Sequence, residues 1–190
     1  PGYDAAMAAR YGGAIHDLWV ELDGHLGTIL TIARKKKGAD LPILVLSDHG
    51  FGGVHREFRV QSFLRNPPAG ELPLTGTYSF ETNGALLYLN VEGREPNGVV
   101  PKSEYEAVRN DIMDRLKRTR DPETGLAPAR AAYRREEAYR GRYADKGPDI
   151  VMTPSPEVYM SNDRGHREPW GTPSYTFSGH HEMEGILIAT

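Results

Sequence analysis

The sequence predicts a mixed α/β fold, organised as one domain over residues 1–190. Short apolar runs alternate along the chain with segments in which apolar residues recur every three or four positions, and these are the patterns of strands and helices. Hydrophobic residues make up 38% of the 190, so the chain can bury a substantial core. No stretch approaches the roughly 20 apolar residues of a membrane-spanning helix, and we therefore expect no membrane segment.

The first predicted element is an amphipathic helix over residues 15–33, where apolar residues recur at helical spacing. Gly12 and Gly13 precede it and are expected to loosen or kink its first turns. The pattern stops before Gly38, which predicts the end of the helix at that residue. We expect the apolar side of this helix to lie against a sheet.

The apolar run at residues 43–46 predicts the first strand. It follows Pro42 and shows no polar alternation, which is typical of a strand buried on both faces. Asp48 and His49 come directly after it. Ligands in open α/β sheets bind at such carboxyl ends, so both residues are candidates for a functional site.

Three elements are predicted in the middle of the chain. Residues 60–64 favour a short helix or turn, and residues 85–89 favour a strand. Ser103 and Glu106 have the spacing of a capping box. This pair predicts a helix that opens there and carries apolar residues on one side through Leu116.

The last third of the chain is predicted to hold strands separated by a long loop. Residues 131–143 fit either a partly exposed strand or a short helix, and we favour a strand followed by a turn. Residues 148–152 predict another strand, and residues 162–175 predict a loop that leads to His181. The apolar run at residues 186–189 predicts the final strand.

Charge and cysteine content exclude several kinds of partner and site. The net charge of -3 gives no long-range attraction for a polyanion, so we expect no nucleic acid partner. The chain has no cysteine, which excludes disulfides and thiolate metal sites. Any metal ion must therefore be held by His, Asp and Glu.

Two polar clusters carry metal-ligating residue types beside apolar runs. Residues 47–51 read Ser-Asp-His-Gly-Phe, and residues 178–185 read Ser-Gly-His-His-Glu-Met-Glu-Gly. A carboxylate and imidazoles held by rigid strands suit a divalent cation such as Zn²⁺, with Mn²⁺ as the alternative. The first cluster by itself favours a simple polar turn over a metal site, and the second cluster reverses that preference. His49 and His181 are far apart in sequence, so only the tertiary fold can bring them together.

The two clusters, in this order, resemble the motifs of the alkaline phosphatase superfamily, in particular its type I phosphodiesterase/nucleotide pyrophosphatase branch. The resemblance covers most of the chain, including residues 90–98 and 148–151, which we assign to the framework. It implies a mixed, mostly parallel sheet flanked by helices and a site for two divalent metal ions. By this match Asp48 and His49 bind one metal ion and His181 binds the other.

The late cluster contains two adjacent histidines. In the similar proteins the ligand stands four residues before the glycine that opens the last strand, which is Gly185 in this chain. His181 is therefore the predicted ligand, and His180 is its neighbour. His166 in the long loop is expected to be exposed to solvent, with a contact to the substrate phosphate as the alternative.

The resemblance also implies a function, the hydrolysis of small-molecule phosphate esters through two metal ions and a covalent phosphoryl-enzyme. The nucleophile of the similar proteins is a threonine or serine at a helix start, and Thr28, Thr75, Thr77 and Ser79 have no metal ligand beside them. In the similar proteins the nucleophile and the remaining metal ligands lie upstream of these motifs. The resemblance therefore implies that they precede Pro1, that this chain is the C-terminal part of one catalytic domain, and that it is inactive by itself. A sulfatase-like or phosphomutase-like enzyme and a non-catalytic metal-binding fragment are the alternatives. Substrate identity, oligomeric state and localisation are left open.

Overall fold

A computed structural model describes residues 5–66, 77–79, 84–173 and 179–190. Thr75 and Ser178 lie outside the described residues. Two short 3-10 turns occur at Lys102–Glu104 and Ala144–Lys146. The helices are α1 (Ala5–Tyr11), α2 (Ala14–Lys37), α3 (Val60–Arg65), α4 (Tyr105–Arg118) and α5 (Arg135–Ala138). The strands are β1 (Leu44–Leu46), β2 (Gly50–Gly53), β3 (Arg56–Arg59), β4 (Thr77–Ser79), β5 (Leu86–Leu89), β6 (Ala129–Arg134), β7 (Ile150–Pro154), β8 (Val158–Ser161), β9 (Trp170–Gly171), β10 (Gly179–Glu182) and β11 (Leu187–Ala189).

The chain divides into two units, one formed by Pro1–Ser47 with Ile186–Thr190 and the other by Asp48–Gly185. In the described part of the chain, no helix has the length and apolar content needed to cross a membrane.

The first unit contains α1, α2, β1 and β11. Gly12 and Gly13 separate α1 from α2, so the predicted interruption is confirmed. The helix end is also confirmed, because Gly38 takes a φ of 104°, which favours glycine, and donates its N–H to the Arg34 carbonyl at 2.9 Å. The expectation that the apolar side lies against a sheet is wrong, since α2 has no buried residue.

The first strand differs from its prediction in burial. It pairs in antiparallel register with β11, Leu44 opposite Ala189. Leu44 and Leu46 are 60% and 62% exposed, so this strand is not buried on both faces. A two-stranded ribbon has no covered face unless another layer packs on it. The apolar run therefore identified a strand correctly but did not determine what covers it.

The second unit holds the hydrophobic core. One sheet has the strand order β4-β5-β7-β6 and is antiparallel throughout, and a second has the order β8-β3-β9. The α/β class is confirmed, but among the described strand pairs only β3 with β8 is parallel, so the expected mostly parallel sheet is not found. The core side chains come from β3, α3, β5, α4, β7 and β8, and the largest fully buried ones include Phe58, Leu64, Leu87, Leu89, Ile112, Ile150 and Met160.

The helix α4 has its apolar side where the sequence predicts it, but it begins later than predicted. Ile112 and Leu116 are buried in the core. The helix begins at Tyr105, after a 3-10 turn, and its first residue has no side-chain cap, so the capping box is wrong. The Glu106 carboxylate instead accepts hydrogen bonds from Arg109 Nη2 at 2.9 and 3.0 Å. The guanidinium pairs with the carboxylate as an ion of opposite charge and donates to both of its oxygens, which a single backbone N–H cannot do.

Asp149 is the centre of the framework in the second unit. Its side chain is fully buried and accepts hydrogen bonds from the Leu89 N–H at 2.7 Å and from Tyr105 Oη at 2.8 Å. Arg94 reaches both carboxylate oxygens, at 2.8 and 2.6 Å, and Arg135 contacts one of them. Burial alone would raise the pKa of Asp149, but these hydrogen bonds outweigh it and hold the pKa below its usual value. This network supports the assignment of residues 90–98 and 148–151 to the structural framework.

Candidate functional site

The two polar clusters meet through the pairing of β2 with β10. These strands are antiparallel, with His181 opposite Phe51 and Glu182 opposite Gly50. His49 directly precedes β2, and its ring lies against the His181 ring with centroids 3.7 Å apart and an angle of 23° between the planes. The fold therefore does bring together the two histidines that the sequence separates.

Glycine makes this close pairing possible. A Cβ on Gly50 would overlap the carbonyl oxygen of Glu184, and a Cβ on Gly52 would lie 2.8 Å from Cγ of Glu182. Larger residues at these positions would force the two strands apart. Neither strand is predicted from the sequence, because a Gly-rich segment and a His-His-Glu segment have low strand propensity.

His49 has one ring nitrogen engaged and the other available. Its Nδ1 lies 2.8 Å from the Gly50 carbonyl oxygen, which can only accept a hydrogen bond, so Nδ1 carries the proton. The lone pair is then on Nε2, which lies 3.5 Å from Asp48 Oδ2. A backbone carbonyl that holds the second ring nitrogen is the usual support of a metal-binding histidine.

Asp48 and His49 together fit part of a site for a divalent cation. Two ligand atoms of a tetrahedral Zn²⁺, each bonded at about 2.0–2.2 Å, lie roughly 3.3–3.6 Å apart. The 3.5 Å between Asp48 Oδ2 and His49 Nε2 agrees with that separation. The Asp48 side chain is 88% exposed, and its Oδ1 accepts a hydrogen bond from the His49 N–H at 3.1 Å. However, the described residues contain no cluster of three or more His, Asp or Glu side chains suited to a metal ion. The pair is thus a partial coordination sphere.

The two adjacent histidines have different surroundings. Alternation along β10 places His180 and His181 on opposite faces of the strand, and His181 makes the ring contact with His49. His180 is 12% exposed, with Nε2 3.4 Å from Glu182 Oε1. Burial lowers the pKa of His180, although the nearby Glu182 carboxylate acts in the opposite direction.

His166 is exposed, as expected. Its side chain is 51% accessible, and Nδ1 lies 2.7 Å from Asp163 Oδ2. The pKa of Asp163 is lowered, first by the Gly165 N–H that donates to it and further by His166, while burial opposes them. These contacts of Asp163 with Gly165 and His166 all lie within one loop. We therefore assign His166 no role in the candidate site.

The two site histidines open onto a cavity. It has a volume of about 540 Å³ and is lined by His49, His180 and His181 together with residues of β5, β6 and β7. Side chains that could bind a metal ion therefore lie at the edge of a space large enough for a small organic ligand.

Comparison with known proteins agrees with the sequence resemblance. The family model described as type I phosphodiesterase / nucleotide pyrophosphatase matches residues 10–184. Among solved structures, the chain is similar to the phosphonoacetate hydrolase of Sinorhizobium meliloti 1021, crystallised with phosphonoformate, at 23% identity and a TM-score of 0.45. The match covers 80% of this chain and 36% of the hydrolase chain, so this chain spans about a third of that protein. Among curated protein sequences, none matches significantly. Because the family model spans nearly the whole sequence, the chain belongs to the type I phosphodiesterase/nucleotide pyrophosphatase family.

Proposed function

We propose that the complete protein containing this chain hydrolyses small-molecule phosphate esters. The observation that carries the proposal is the contact between the His49 and His181 rings, 3.7 Å apart, which joins the two motifs of a hydrolase family at the edge of one cavity. Phosphoryl transfer depends mainly on positioning and charge stabilisation, so clustered metal-ligating side chains are the expected centre of such a site.

Within this proposal Asp48 and His49 hold one divalent cation and His181 contributes to the site of a second. The ligand separation at Asp48 and His49 supports Zn²⁺, and the nitrogen and oxygen donors also allow Mn²⁺. Bound divalent ions would supply positive charge that stabilises the transferring phosphoryl group and lowers the pKa of the attacking hydroxyl. The chain's own contribution is orientation. The Gly50 carbonyl fixes the proton of His49 on Nδ1, and the strand pair holds His181 beside it.

The nucleophile belongs, in our proposal, to a threonine or serine outside these 190 residues. Ser47 is the hydroxyl adjacent in sequence to Asp48, but its Oγ accepts a hydrogen bond from the Ile186 N–H at 2.8 Å. That contact ties Ser47 to the neighbouring strand, and a nucleophile needs a free lone pair directed at the substrate.

The test is metal-dependent turnover of bis(4-nitrophenyl) phosphate by the complete protein. We expect chelation to abolish the activity and Zn²⁺ or Mn²⁺ to restore it. In the proposed reaction the bound ions are needed both to form the phosphoryl-enzyme and to hydrolyse it. 4-Nitrophenyl sulfate is assayed in parallel to distinguish a sulfatase. Hydrolysis of the sulfate alone, or no hydrolysis of the phosphate ester with any added metal, would refute the proposed function.

A further inference from the structure

The cavity beside the two site histidines has an apolar wall formed by the sheet. Leu86, Val151 and Tyr133 are neighbours in register across β5, β7 and β6, since both Leu86 and Tyr133 lie opposite Val151. Side chains opposite each other in register point to the same face of a sheet. All three line the cavity. We call this row, together with the cavity it faces, the ester pocket.

The row lies on the face of the sheet opposite to the core. The residues that alternate with it, Leu87, Ile150 and Met152, are buried in the core cluster, and of these three only Met152 also lines the cavity. Tyr133, in contrast, is 45% exposed. Apolar side chains on a solvent-facing surface gain free energy from any ligand that covers them.

The charged groups of the ester pocket are acidic. Among the described residues that line it, Glu137 and Glu182 are the carboxylates, and none of those residues is Lys or Arg. A second phosphate group in this space would face two carboxylates without a cation to pair with. An uncharged group would avoid this repulsion and would cover the apolar row.

We propose that the ester pocket receives an uncharged aryl or apolar alkyl group of a phosphate diester, and that it rejects a second phosphate group. This inference rests on the proposed function, because it assumes that the phosphate itself lies at the site of Asp48, His49 and His181. It narrows the substrate class to diesters with at least one apolar alcohol.

The first test measures binding with a matched pair of phosphinates on the Zn²⁺-loaded complete protein. Diphenylphosphinate and dimethylphosphinate each carry one negative charge, and their P–C bonds cannot be hydrolysed. Isothermal titration calorimetry should show at least tenfold tighter binding of the diphenyl compound, because aryl groups bury more apolar area. Equal affinities, or no binding of either compound, would overturn the inference.

The Tyr133→Ala variant tests the wall itself. It should reduce the ratio of the two affinities about fivefold, with little change for dimethylphosphinate. Tyr143→Ala is the matched control, because Tyr143 is 64% exposed and does not line the pocket. An equal effect of both substitutions, or an equal loss for both phosphinates, would show that Tyr133 has only a structural role and would overturn this part of the argument.

The second test concerns charge. Bis(4-carboxyphenyl)phosphinate has the same core as diphenylphosphinate with two added carboxylates, and it should bind more weakly. Glu137→Gln should recover about threefold of this loss, because it removes one negative charge while its amide oxygen still accepts the hydrogen bond that Glu137 receives from the Arg134 N–H. Tighter binding of the carboxylated compound by the unmodified protein would overturn the inference.

Hydrolysis of bis(4-nitrophenyl) phosphate is measured on the same preparations to separate the two proposals. Turnover without the aryl preference would refute the ester pocket and leave the proposed function standing. Aryl preference without turnover would refute the proposed function and leave the pocket as a binding site for apolar anions.

Discussion

The His49 imidazole shows how one backbone contact can prepare a side chain for chemistry. The Gly50 carbonyl at 2.8 Å from Nδ1 determines which nitrogen carries the proton, and this leaves Nε2 available next to Asp48. His181 packs on the ring of His49. The functional consequence is that side chains from two distant motifs lie side by side while Nε2 of His49 keeps its lone pair for a ligand.

The first prediction separates the adjacent histidines. In the complete protein, His181→Ala should lower bound metal and the rate of phosphate ester hydrolysis together, by at least tenfold, since even the loss of an outer partner of a metal ligand costs that much. His180→Ala should change both by less than about threefold, because Nε2 of His180 lies 3.4 Å from Glu182 Oε1 and the ring contact with His49 is made by His181. Metal content by mass spectrometry and kcat/KM provide the readouts. Equal losses in the two variants, or the reverse order, would contradict the assignment.

At the scale of elements, the site depends on a short strand pair with glycine on one side. Gly50 and Gly52 let β2 approach Glu182 and Glu184 at distances that a side chain would not permit. Neither strand has a strong preference of its own for extended structure. An added Cβ at either glycine should therefore disturb both the position of the site histidines and the stability of the protein.

A substitution at Gly50 tests this dependence. Gly50→Ala should push the strands apart, destabilise the protein by about 1–3 kcal/mol as overpacking does, and lower bound metal by displacing His49 from His181. Gly27→Ala is the control, since a Cβ at this position in α2 meets no atom within 4 Å and alanine favours helix. Urea unfolding and metal content check both variants. Normal metal binding in Gly50→Ala would show that the strand pair does not position the site.

The Asp149 network connects four elements of the second unit. The groups that donate hydrogen bonds to Asp149 come from β5, from the segment after β5, from α4 and from α5. Asp149 itself precedes β7. Removing its charge would leave two guanidinium groups without their shared carboxylate. A buried ion pair that loses one partner is strongly destabilised, because the remaining charge is uncompensated.

Asp149→Asn should therefore lower the free energy of unfolding by about 3 kcal/mol near pH 7. The pH dependence has a defined sign. The lowered pKa of Asp149 in the folded state stabilises the protein above its unfolded pKa of about 3.9, and this stability is lost as the pH falls through the folded value. Between pH 7 and 3 the free energy of unfolding should consequently fall less steeply with decreasing pH for Asp149→Asn than for the unmodified protein. Asp145→Asn, at an exposed residue, should match the unmodified protein, and a steeper fall for Asp149→Asn would contradict the argument.

At the scale of the whole molecule, the two units differ in how far their apolar side chains are buried. The second unit buries Phe58, Leu87 and Ile112 completely. In the first unit, Trp19 on α2 and Leu187 on β11 are 54% and 74% exposed. The side chains that we propose as metal ligands belong to the second unit, which has the core that can hold them in place.

The last prediction concerns the 190-residue chain by itself. It should hydrolyse bis(4-nitrophenyl) phosphate at no more than the background rate, and chelator should have no effect, because the described residues provide neither a free nucleophile beside Asp48 nor a three-ligand metal cluster. The complete protein, assayed at the same concentration, is the positive control. Robust and chelator-sensitive turnover by the chain alone would refute the proposed place of the nucleophile.

Sequence patterns identified the elements whose periodicity is local. The helix that ends at Gly38, the strand at residues 85–89 and the apolar side of α4 all follow from side-chain spacing and are confirmed. The capping box at Ser103 failed because Arg109 competed for the Glu106 carboxylate, a contact that no local pattern records. The strand β10 was missed because its pairing partner supplies the reason for its extended conformation.

The sequence alone determined the family, the residue types of the candidate site and the choice of nitrogen and oxygen donors over thiolates, since these depend on which side chains occur in which order. The tertiary structure alone decided that the His49 and His181 rings touch, that β1 is exposed, and that Leu86, Val151 and Tyr133 form one wall. The physical reason is the same in each case. Contacts between segments distant in sequence depend on strand register and on which layer covers a face, and local propensities do not encode either.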